Sequence, residues 1–424
     1  MDDELFVGVD WGSETHQVCV IDAQRKKLLE RGFEHSGTGL SSLAEKLLEL
    51  AAGDSRRLSV AIEVPRGPVV DALLERRIAV FAVNPKQLDR FRDRHTVAGA
   101  KDDRRDALVL ADSLRTDRSA FRQVQLGDAT LVQLRELCRL QDELKAERIT
   151  LGNRLREQLL RYFPQILELD NIYKRPWIWA LLTKASTPQE AAHLSLAKLK
   201  SLLNAHGIRR LTPEQVRETL KAEPLHVAPG VIQACQRSVA SLLPRLRLAH
   251  EQKLQVEREI GELLEQCSKP DVEGKVEHRD ASLLQSLPGL GKLVCATMLA
   301  EAGEALTRRD YMNLRGLCGV APVTRRSGKQ LAVSMRHSCN KRLRTAVHQW
   351  ASRAASCDGY WKARYAALRA KGHAHARAVR GLADRLLAVL LAVLKTGQPY
   401  DPARKRAVPG AITSHPLPVD LALA

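Results

Sequence analysis

The chain has 424 residues, of which 67 are Lys or Arg and 49 are Asp or Glu, and its formal net charge is +18. A basic balance of this size is typical of proteins that bind a polyanion, and nucleic acid is the first candidate. A membrane-spanning protein is not expected, because no apolar run reaches the roughly 18 residues that a spanning helix needs and the opening MDDELFVGVD does not resemble a signal peptide. We therefore expect a cytoplasmic protein with two to three domains.

The cysteine and aromatic residues limit the chemistry further. The eight cysteines are scattered without a CxxC pair or zinc-like spacing, so they are interpreted as reduced thiols, mostly of the core. Aromatic residues make up only 4% of the chain, which does not favour an aromatic platform of the RRM kind for single strands. Contacts to nucleic acid are expected mainly from Arg and Lys to phosphate.

The first 85 residues alternate between predicted strands and helices. A β-hairpin is predicted over 5–22, followed by an amphipathic helix over 38–52. A short buried strand over 56–65, a helix over 69–77 and another strand over 78–85 come next. This pattern indicates an α/β domain at the N-terminus.

Two long helices are predicted in the middle of the chain. Leucines recur at mixed spacings of three and four among Arg and Glu from about Asp128 to Tyr162, and a second such stretch runs from about Val231 to Gln266. The simplest arrangement is an antiparallel pair, which would serve either as a spacer or as a dimerisation arm. The segment 165–230 between them is predicted to be helical and punctuated by prolines.

A third region, 281–395, accounts for most of the net positive charge. LLQSLPGLGKLVCATMLAEAG predicts two helices around a Gly turn, which is either a helix-hairpin-helix with turn amides facing a phosphate or an ordinary helical hairpin. Between Thr307 and Gly381 there are 17 Lys or Arg and only two acids. The Pro-rich tail is expected to be loose. The predicted segments are 1–125, 126–275, 276–398 and 399–424.

Two acids in the α/β region stand out. Asp10 in GVDWGS ends the first predicted strand, although this string also begins actin-like ATPases. Glu63 lies within the apolar strand SVAIEVP, where a carboxylate is costly unless it is paired or coordinates a cation.

A further cluster of acids opens KDDRRDALVLADSLR. On a helix at about 100° per residue, Asp103 points in the direction of the apolar stripe and Asp106 lies roughly 60° to its side. Asp102 and Asp112 point away and are expected to be solvated, and the helix dipole alone would account for Asp102. Asp10, Glu63, Asp103 and Asp106 together suit two Mg²⁺ ions roughly 4 Å apart, which would assist phosphodiester transfer.

Ser327 lies before Gly328 in a basic loop, LRGLCGVAPVTRRSGKQLAVS. A serine in this setting is more often a phosphate contact than a nucleophile, and no His or Asp base is evident at local spacing. Neighbouring guanidinium groups would nevertheless stabilise the charge of a pentacoordinate phosphate if this serine attacked DNA.

As a set, these motifs resemble the DEDD-type transposases of insertion sequences, the IS110 family. The resemblance is carried in order by VGVDWGSETH, AIEVPRG, VNPKQLDRFR, KDDRRDALVLADSL, LPGLGKLVCATMLAEAG, LCGVAPVTRRSGK, NKRLRTAV and RAKGHAHARAVRGLADRLLAVL. It implies a ribonuclease-H-like, RuvC-like N-terminal domain, a coiled-coil middle and a mainly α-helical C-terminal transposase domain.

The resemblance also implies roles for individual residues. Asp10, Glu63, Asp103 and Asp106 would be the Mg²⁺ ligands, and Ser327 the nucleophile that forms a phosphoserine link to DNA. The working site would then be composite, between domains or between subunits. A noncoding guide RNA, called a bridge RNA, and donor and target duplex DNA are the implied partners, and a homodimer or tetramer is expected because recombination holds two duplexes. Nucleic-acid contacts are expected from Arg325, Arg326, Lys329, Arg336, Asn340, Lys341 and Arg344.

Three other functions are compatible with parts of the pattern. A RuvC-like Holliday-junction nuclease would use the same four acids with water as the nucleophile and would not need Ser327. An actin-like kinase or ATPase shares the first hairpin, but no second Gly-rich phosphate hairpin is evident. A nucleic-acid-binding module with inactive acids would not need the carboxylates for activity.

Overall fold

A computed structural model describes residues 4–83, 88–91, 102–124, 129–228, 230–268, 279–327 and 330–402. The chain divides into two units, Met1–Asp128 and Ala129–Ala424, called here the N-terminal and C-terminal units. The first combines a sheet with helices and the second is mostly helical, so the expected order of an α/β region followed by a helical region is confirmed.

The N-terminal unit is organised around a sheet whose described strands follow the order β3-β2-β1-β4-β5-β6. Strands β1, β4 and β5 are parallel, whereas β2, β3 and β6 run antiparallel to their neighbours. The predicted hairpin and the two later strands are confirmed, although Asn84 and Pro85 lie outside the described residues. The strands are β1 Leu5–Asp10, β2 Thr15–Ile21, β3 Lys27–Glu34, β4 Leu58–Ile62, β5 Ala79–Ala82 and β6 Arg122–Val124.

Helices cover both faces of this sheet. Helix α1 (Gly37–Leu50) and helix α2 (Pro68–Glu75) share a core with Val7, Val9 and their neighbours on one face. Helix α3 (Asp103–Asp117) packs on the other face, against Phe6 and the residues that alternate with the first set. The period-two alternation of the strands therefore separates the two cores.

The C-terminal unit contains the two predicted long helices. Helix α4 spans Ala129–Leu160 and a later helix, α10, spans Val231–Ser268. Between them lie α5 Ile166–Leu169, α6 Pro176–Lys184, α7 Pro188–Ala192, α8 Leu196–Ala205 and α9 Pro213–Lys221. The remaining elements are α11 Arg279–Gln285, α12 Lys292–Thr307, α13 Tyr311–Leu317, β7 Val323–Ser327, β8 Gln330–Ser334, α14 Lys341–Cys357, α15 Gly359–Ala370 and α16 His375–Thr396.

Helices α4 and α10 pack antiparallel, as predicted. The Gln141 amide donates to Glu257 at 3.0 Å and Arg148 meets His250 at 3.5 Å, so numbers rise along one helix as they fall along the other. Apolar residues that come before Arg148 on α4 and after His250 on α10 join the core built with α11–α16. Those that come after Arg148 on α4 and before His250 on α10 join a core with α5–α9. The two cores share no residue, and buried Arg148 lies on α4 between Leu144 of the first core and Leu151 of the second.

The predicted helical hairpin is formed by α11 and α12. Gly289 in its turn has φ +72°, and a Cβ there would lie 2.7 Å from the Ala354 backbone nitrogen. The Trp350 indole also donates to the Pro288 carbonyl at 3.0 Å. The turn is thus packed against α14, which favours a structural role for the hairpin.

Two other sequence-based expectations concern the thiols and the membrane. All eight cysteines are free thiols, and six of them are buried, which confirms their interpretation as mostly core residues. In the described ranges, no helix combines the length and apolar character that crossing a bilayer requires.

Candidate active site

The parallel pair of β1 and β4 places Asp10 beside Glu63. Val9 pairs with Ile62 in the parallel register, so the next residue on each strand is an acid at the carboxyl end of the sheet. Alternation puts Asp10 on the same face as Phe6 and Gly8, and it puts Glu63 on the same face as Ala61. Both acids therefore belong to the face that α3 covers.

Helix α3 runs antiparallel to β1 and brings its first turn to the same edge. Near its C-terminal end, Arg118 forms an ion pair with Glu4, which precedes β1, and Arg115 donates to the Ala23 carbonyl at 3.4 Å. Asp103 and Asp106, at the opposite end of the helix, are consequently directed to the end of β1 that carries Asp10.

A glycine allows the helix to lie this close to the strand. A Cβ at Gly8 would be 1.9 Å from the Ala107 carbonyl oxygen and 2.6 Å from the Ala111 nitrogen, both backbone atoms of α3. No side chain fits between the two elements. Gly8 therefore sets the distance between the start of α3 and the end of β1.

The predicted rotation of α3 is confirmed for its apolar residues. Ala107, Leu110 and Leu114 are fully buried. Asp106 is 1% exposed, whereas Asp103, one turn earlier in the helix, is exposed. Asp102 is the N-cap of α3, because its carboxylate accepts a hydrogen bond from the Arg104 amide at 3.1 Å.

The prediction that Asp112 is solvated is wrong. Its side chain is 9% exposed and forms ion pairs with Arg115 at 2.7 Å and with Arg25 at 3.3 Å. Arg25 lies in the turn between β2 and β3, 87 positions earlier in the chain, so helical rotation alone could not reveal this partner. Asp112 is a structural anchor of α3.

The acidic edge offers the oxygen donors that Mg²⁺ prefers. Its four carboxylates come from two strands and one helix, and buried Asp106 is the kind of group that a cation would stabilise. Within the described parts of the chain, however, no three His, Cys, Asp or Glu side chains are grouped closely enough to hold one metal ion. The donor chemistry therefore fits Mg²⁺, whereas a closed ligand shell is not formed.

The turn after Asp10 contains an aromatic and histidine cluster that the sequence analysis did not identify. The Gly12 amide donates to His16 Nδ1 at 3.3 Å, and His16 Nε2 lies 2.8 Å from His35 Nδ1. Trp11 is 43% exposed beside these rings, with centroid distances of 6.4 Å to each. Burial, and secondarily His35, lowers the pKa of His16, so the ring is neutral near pH 7. The sequence signal that could have indicated this cluster is His16, which lies on the second strand of the predicted hairpin.

Ser327 lies in the C-terminal unit at the tip of the β7–β8 hairpin. It is the last residue of β7, is exposed, and pairs with Gln330 across the turn. Arg326 beside it is also exposed. Arg325 lies within β7, and Lys329 lies outside the described residues.

Three of the predicted nucleic-acid contacts lie at the start of α14. Lys341 is exposed. Asn340 caps the helix, accepting from the Arg342 and Leu343 amides, and its own amide donates to Glu301 at 2.8 Å. This capping accounts for Asn340 without nucleic acid, whereas its predicted contact remains a prediction.

Arg344 lines a cavity of about 340 Å³ at the base of the hairpin. Its Nη1 is buried and has no hydrogen-bond partner within the described ranges, and the same holds for Nε of Arg336. The wall also includes His348 and Arg380, which sequence motifs did not single out. Cationic groups with unused donors are suited to a phosphate.

Comparisons with known proteins agree with the position of these elements. Residues 7–164 match the DEDD model of the IS110 transposases, and residues 281–366 match the transposase family IS116/IS110/IS902. A putative transposase, y4uE, of Sinorhizobium fredii is 45% identical over 55% of this chain and 63% of its own length. The mini-circle putative transposase for IS117 of Streptomyces coelicolor is 33% identical over 94% of this chain and 96% of its own length. The chain belongs to the IS110 family of transposases.

Membership in this family establishes the class of reaction. An IS110-family transposase is an enzyme that cuts and rejoins DNA. The first matched region of the transposase contains all four acids of the sheet edge, and the second contains Ser327. The family also decides against an actin-like ATPase, the alternative that shared the first hairpin.

Proposed function

We propose that this transposase excises and inserts its own mobile element by site-specific strand transfer, with Ser327 as the nucleophile and a ribonuclease-H-like N-terminal unit as the metal-binding unit. The observation that carries the proposal is the convergence of β1, β4 and the first turn of α3 at one edge and on one face of the sheet. This arrangement supports a common task for Asp10, Glu63, Asp103 and Asp106.

The Ser327 hydroxyl would form an ester bond to a DNA phosphorus, while the bond from that phosphorus to one sugar oxygen breaks. The serine proton leaves to solvent and the departing sugar oxygen takes up a proton, so the step is balanced. Attack of a sugar hydroxyl from the second duplex would then release the serine and reseal the strand. Arg326, which precedes Ser327 in the chain and is exposed, would supply a guanidinium to stabilise the added charge on the phosphate.

The four carboxylates would hold Mg²⁺, which supplies charge stabilisation to the reacting phosphate when bound. Asp106 would contribute from a buried position and Asp103 from an exposed one, both in the first turn of α3. Asp102 has a different task, because its carboxylate is used to cap the helix.

The test is capture of the covalent intermediate. Labelled DNA carrying an element end is incubated with the protein and Mg²⁺, and a protein–DNA adduct that survives denaturation is measured on a gel. We expect an adduct with the wild type and none with Ser327→Ala, while Ser334→Ala, an exposed serine on the paired strand β8, retains it. Cleavage without an adduct in wild type and Ser327→Ala alike would refute the serine mechanism and support the RuvC-like nuclease with water as the nucleophile.

The carboxylates are tested separately from the serine. Asp103→Asn and Asp106→Asn should each abolish adduct formation, because loss of a negative ligand weakens divalent-metal binding. Full activity of both variants would contradict the two-metal assignment and favour a binding module with inactive acids.

A guide RNA and an oligomer complete the proposal. The net charge of +18 suits RNA and DNA alike. The nucleic acid that copurifies with the protein is therefore extracted, and separate samples of it are treated with RNase and with DNase. A discrete RNase-sensitive species supports the guide. Leu140 and Ile149 on α4 are more than 40% exposed, which favours a dimerisation arm over a spacer, and the mass of the complex in solution tests this choice.

A further inference from the structure

Trp11 differs from every other tryptophan of the chain. The four others, in the C-terminal unit, are at most 1% exposed, whereas Trp11 is 43% exposed. Single exposed apolar residues are common on protein surfaces, so exposure alone assigns no role. The position of Trp11 is what matters, because it directly follows Asp10 at the acidic edge.

The turn that carries Trp11 is held in place. The Gly12 amide uses His16 Nδ1 as its acceptor, so a neutral His16 carries its proton on Nε2 and donates it to His35 Nδ1 at 2.8 Å. A Cβ at Gly12 would lie 2.2 Å from the Thr15 carbonyl oxygen, so the turn also requires a glycine. His16 itself is fully buried.

The indole rests against this pair of rings. It meets His35 edge to face at 78° and His16 at 37°, with both centroids at 6.4 Å. A flat aromatic group that is already oriented loses little freedom when another ring stacks on it. Trp11 is therefore a preorganised aromatic surface beside the proposed metal ligands.

We infer that Trp11 is a stacking site for an unpaired DNA base next to the phosphodiester that the acidic edge receives. The inference rests on the proposed function, because it takes the reacting strand to lie at Asp10. In a duplex both faces of a base are covered by its neighbours, so only an unpaired, unstacked base offers a face to the indole. Strand exchange must create such bases, and stacking on them tolerates any sequence.

Binding is measured in a Ser327→Ala background without Mg²⁺, so that no chemistry takes place and failure of the serine mechanism leaves the result unaffected. The probes are a single-stranded DNA oligonucleotide and the same sequence as a duplex. Trp11→Ala should weaken binding of the single strand by about 5- to 150-fold, the range expected for losing one stacked base, and leave duplex binding unchanged. Trp11→Phe should retain most of the single-strand affinity. Tyr360→Ala, which removes a comparably exposed aromatic residue from α15, serves as the control and should have no effect.

A second readout follows the indole itself and does not depend on the alanine variant folding. The difference in tryptophan emission between the Ser327→Ala protein and its Trp11→Phe derivative isolates Trp11. Single-stranded DNA should quench this difference signal and protect it from acrylamide, whereas duplex DNA should do neither. Equal protection by the duplex, protection by an RNA oligonucleotide but not by DNA, or equal affinities of Trp11→Ala and its parent would overturn the inference.

Discussion

The contact between Gly8 and helix α3 provides a sharp test of the acidic edge. In Gly8→Ala the new methyl group would lie 1.9 Å from the Ala107 carbonyl oxygen, whereas an ordinary contact begins near 3.4 Å. Strand and helix must separate by about 1.5 Å, because both neighbouring atoms belong to the backbone. Overpacking of this kind typically costs about 1–3 kcal/mol of folding free energy.

The same displacement moves Asp103 and Asp106 away from Asp10. Because misplacing catalytic groups by about 1 Å can cost 100-fold in rate, adduct formation should fall by about two orders of magnitude while most of the protein remains folded. The assays are strand transfer at saturating Mg²⁺ and the melting temperature. Gly37→Ala is the matched control, since a Cβ there meets nothing within 4 Å and the variant should behave as wild type. A Gly8→Ala protein with wild-type activity would refute the role of this contact in placing the acids.

Three further changes follow from the N-terminal unit. Asp102→Ala should cost about 1 kcal/mol of stability through loss of the helix cap, and Asp102→Ser should restore that stability. Both variants should retain strand transfer, whereas Asp103→Ala should abolish it. Loss of strand transfer in Asp102→Ser would contradict the capping role. Asp112→Asn should lower the free energy of unfolding by about 1–3 kcal/mol in urea titrations, because it removes the negative charge that pairs with Arg115 and Arg25 and turns one accepting oxygen into an NH2 group that cannot accept from an arginine. A change too small to measure would remove Asp112 as an anchor. Because the pKa of His16 is lower in the folded protein than in the unfolded chain, the unfolded chain takes up the proton at a higher pH. The free energy of unfolding should therefore fall as the pH drops below about 6.5. His16→Gln should reduce this dependence of stability on pH, measured by unfolding titrations at several pH values.

Much of the fold could be predicted because its elements are strongly periodic. The hairpin of β1 and β2, helix α1 and the long antiparallel helices α4 and α10 all lie close to their predicted bounds. Strand β3 was missed, since most of its residues are exposed and KLLERGFE lacks the alternation of a half-buried strand. The three-residue strand β6 was also missed, because it is too short for any periodicity to show.

Prediction of the candidate site depended on a different kind of information. Helical rotation identified the apolar stripe of α3 correctly, yet Asp103 at the first turn is exposed and Asp106 is buried, because the helix begins at the edge of the sheet. Arg25, the second partner of Asp112, and the histidine neighbours of Trp11 come from other strands and turns. Such contacts depend on strand order and register, which a single sequence does not specify.

The polar contact between Arg148 and His250 marks the point where the C-terminal unit changes from one core to the other. The adjoining parts of α4 and α10 and the five short helices α5–α9 pack around a core of their own. They therefore form a separate subdomain at one end of the antiparallel helix pair. A subdomain of another size would leave the core of α11–α16 intact, provided that α4 and α10 keep their antiparallel register. Insertions among α5–α9 should therefore be tolerated without loss of the core that supports the β7–β8 hairpin.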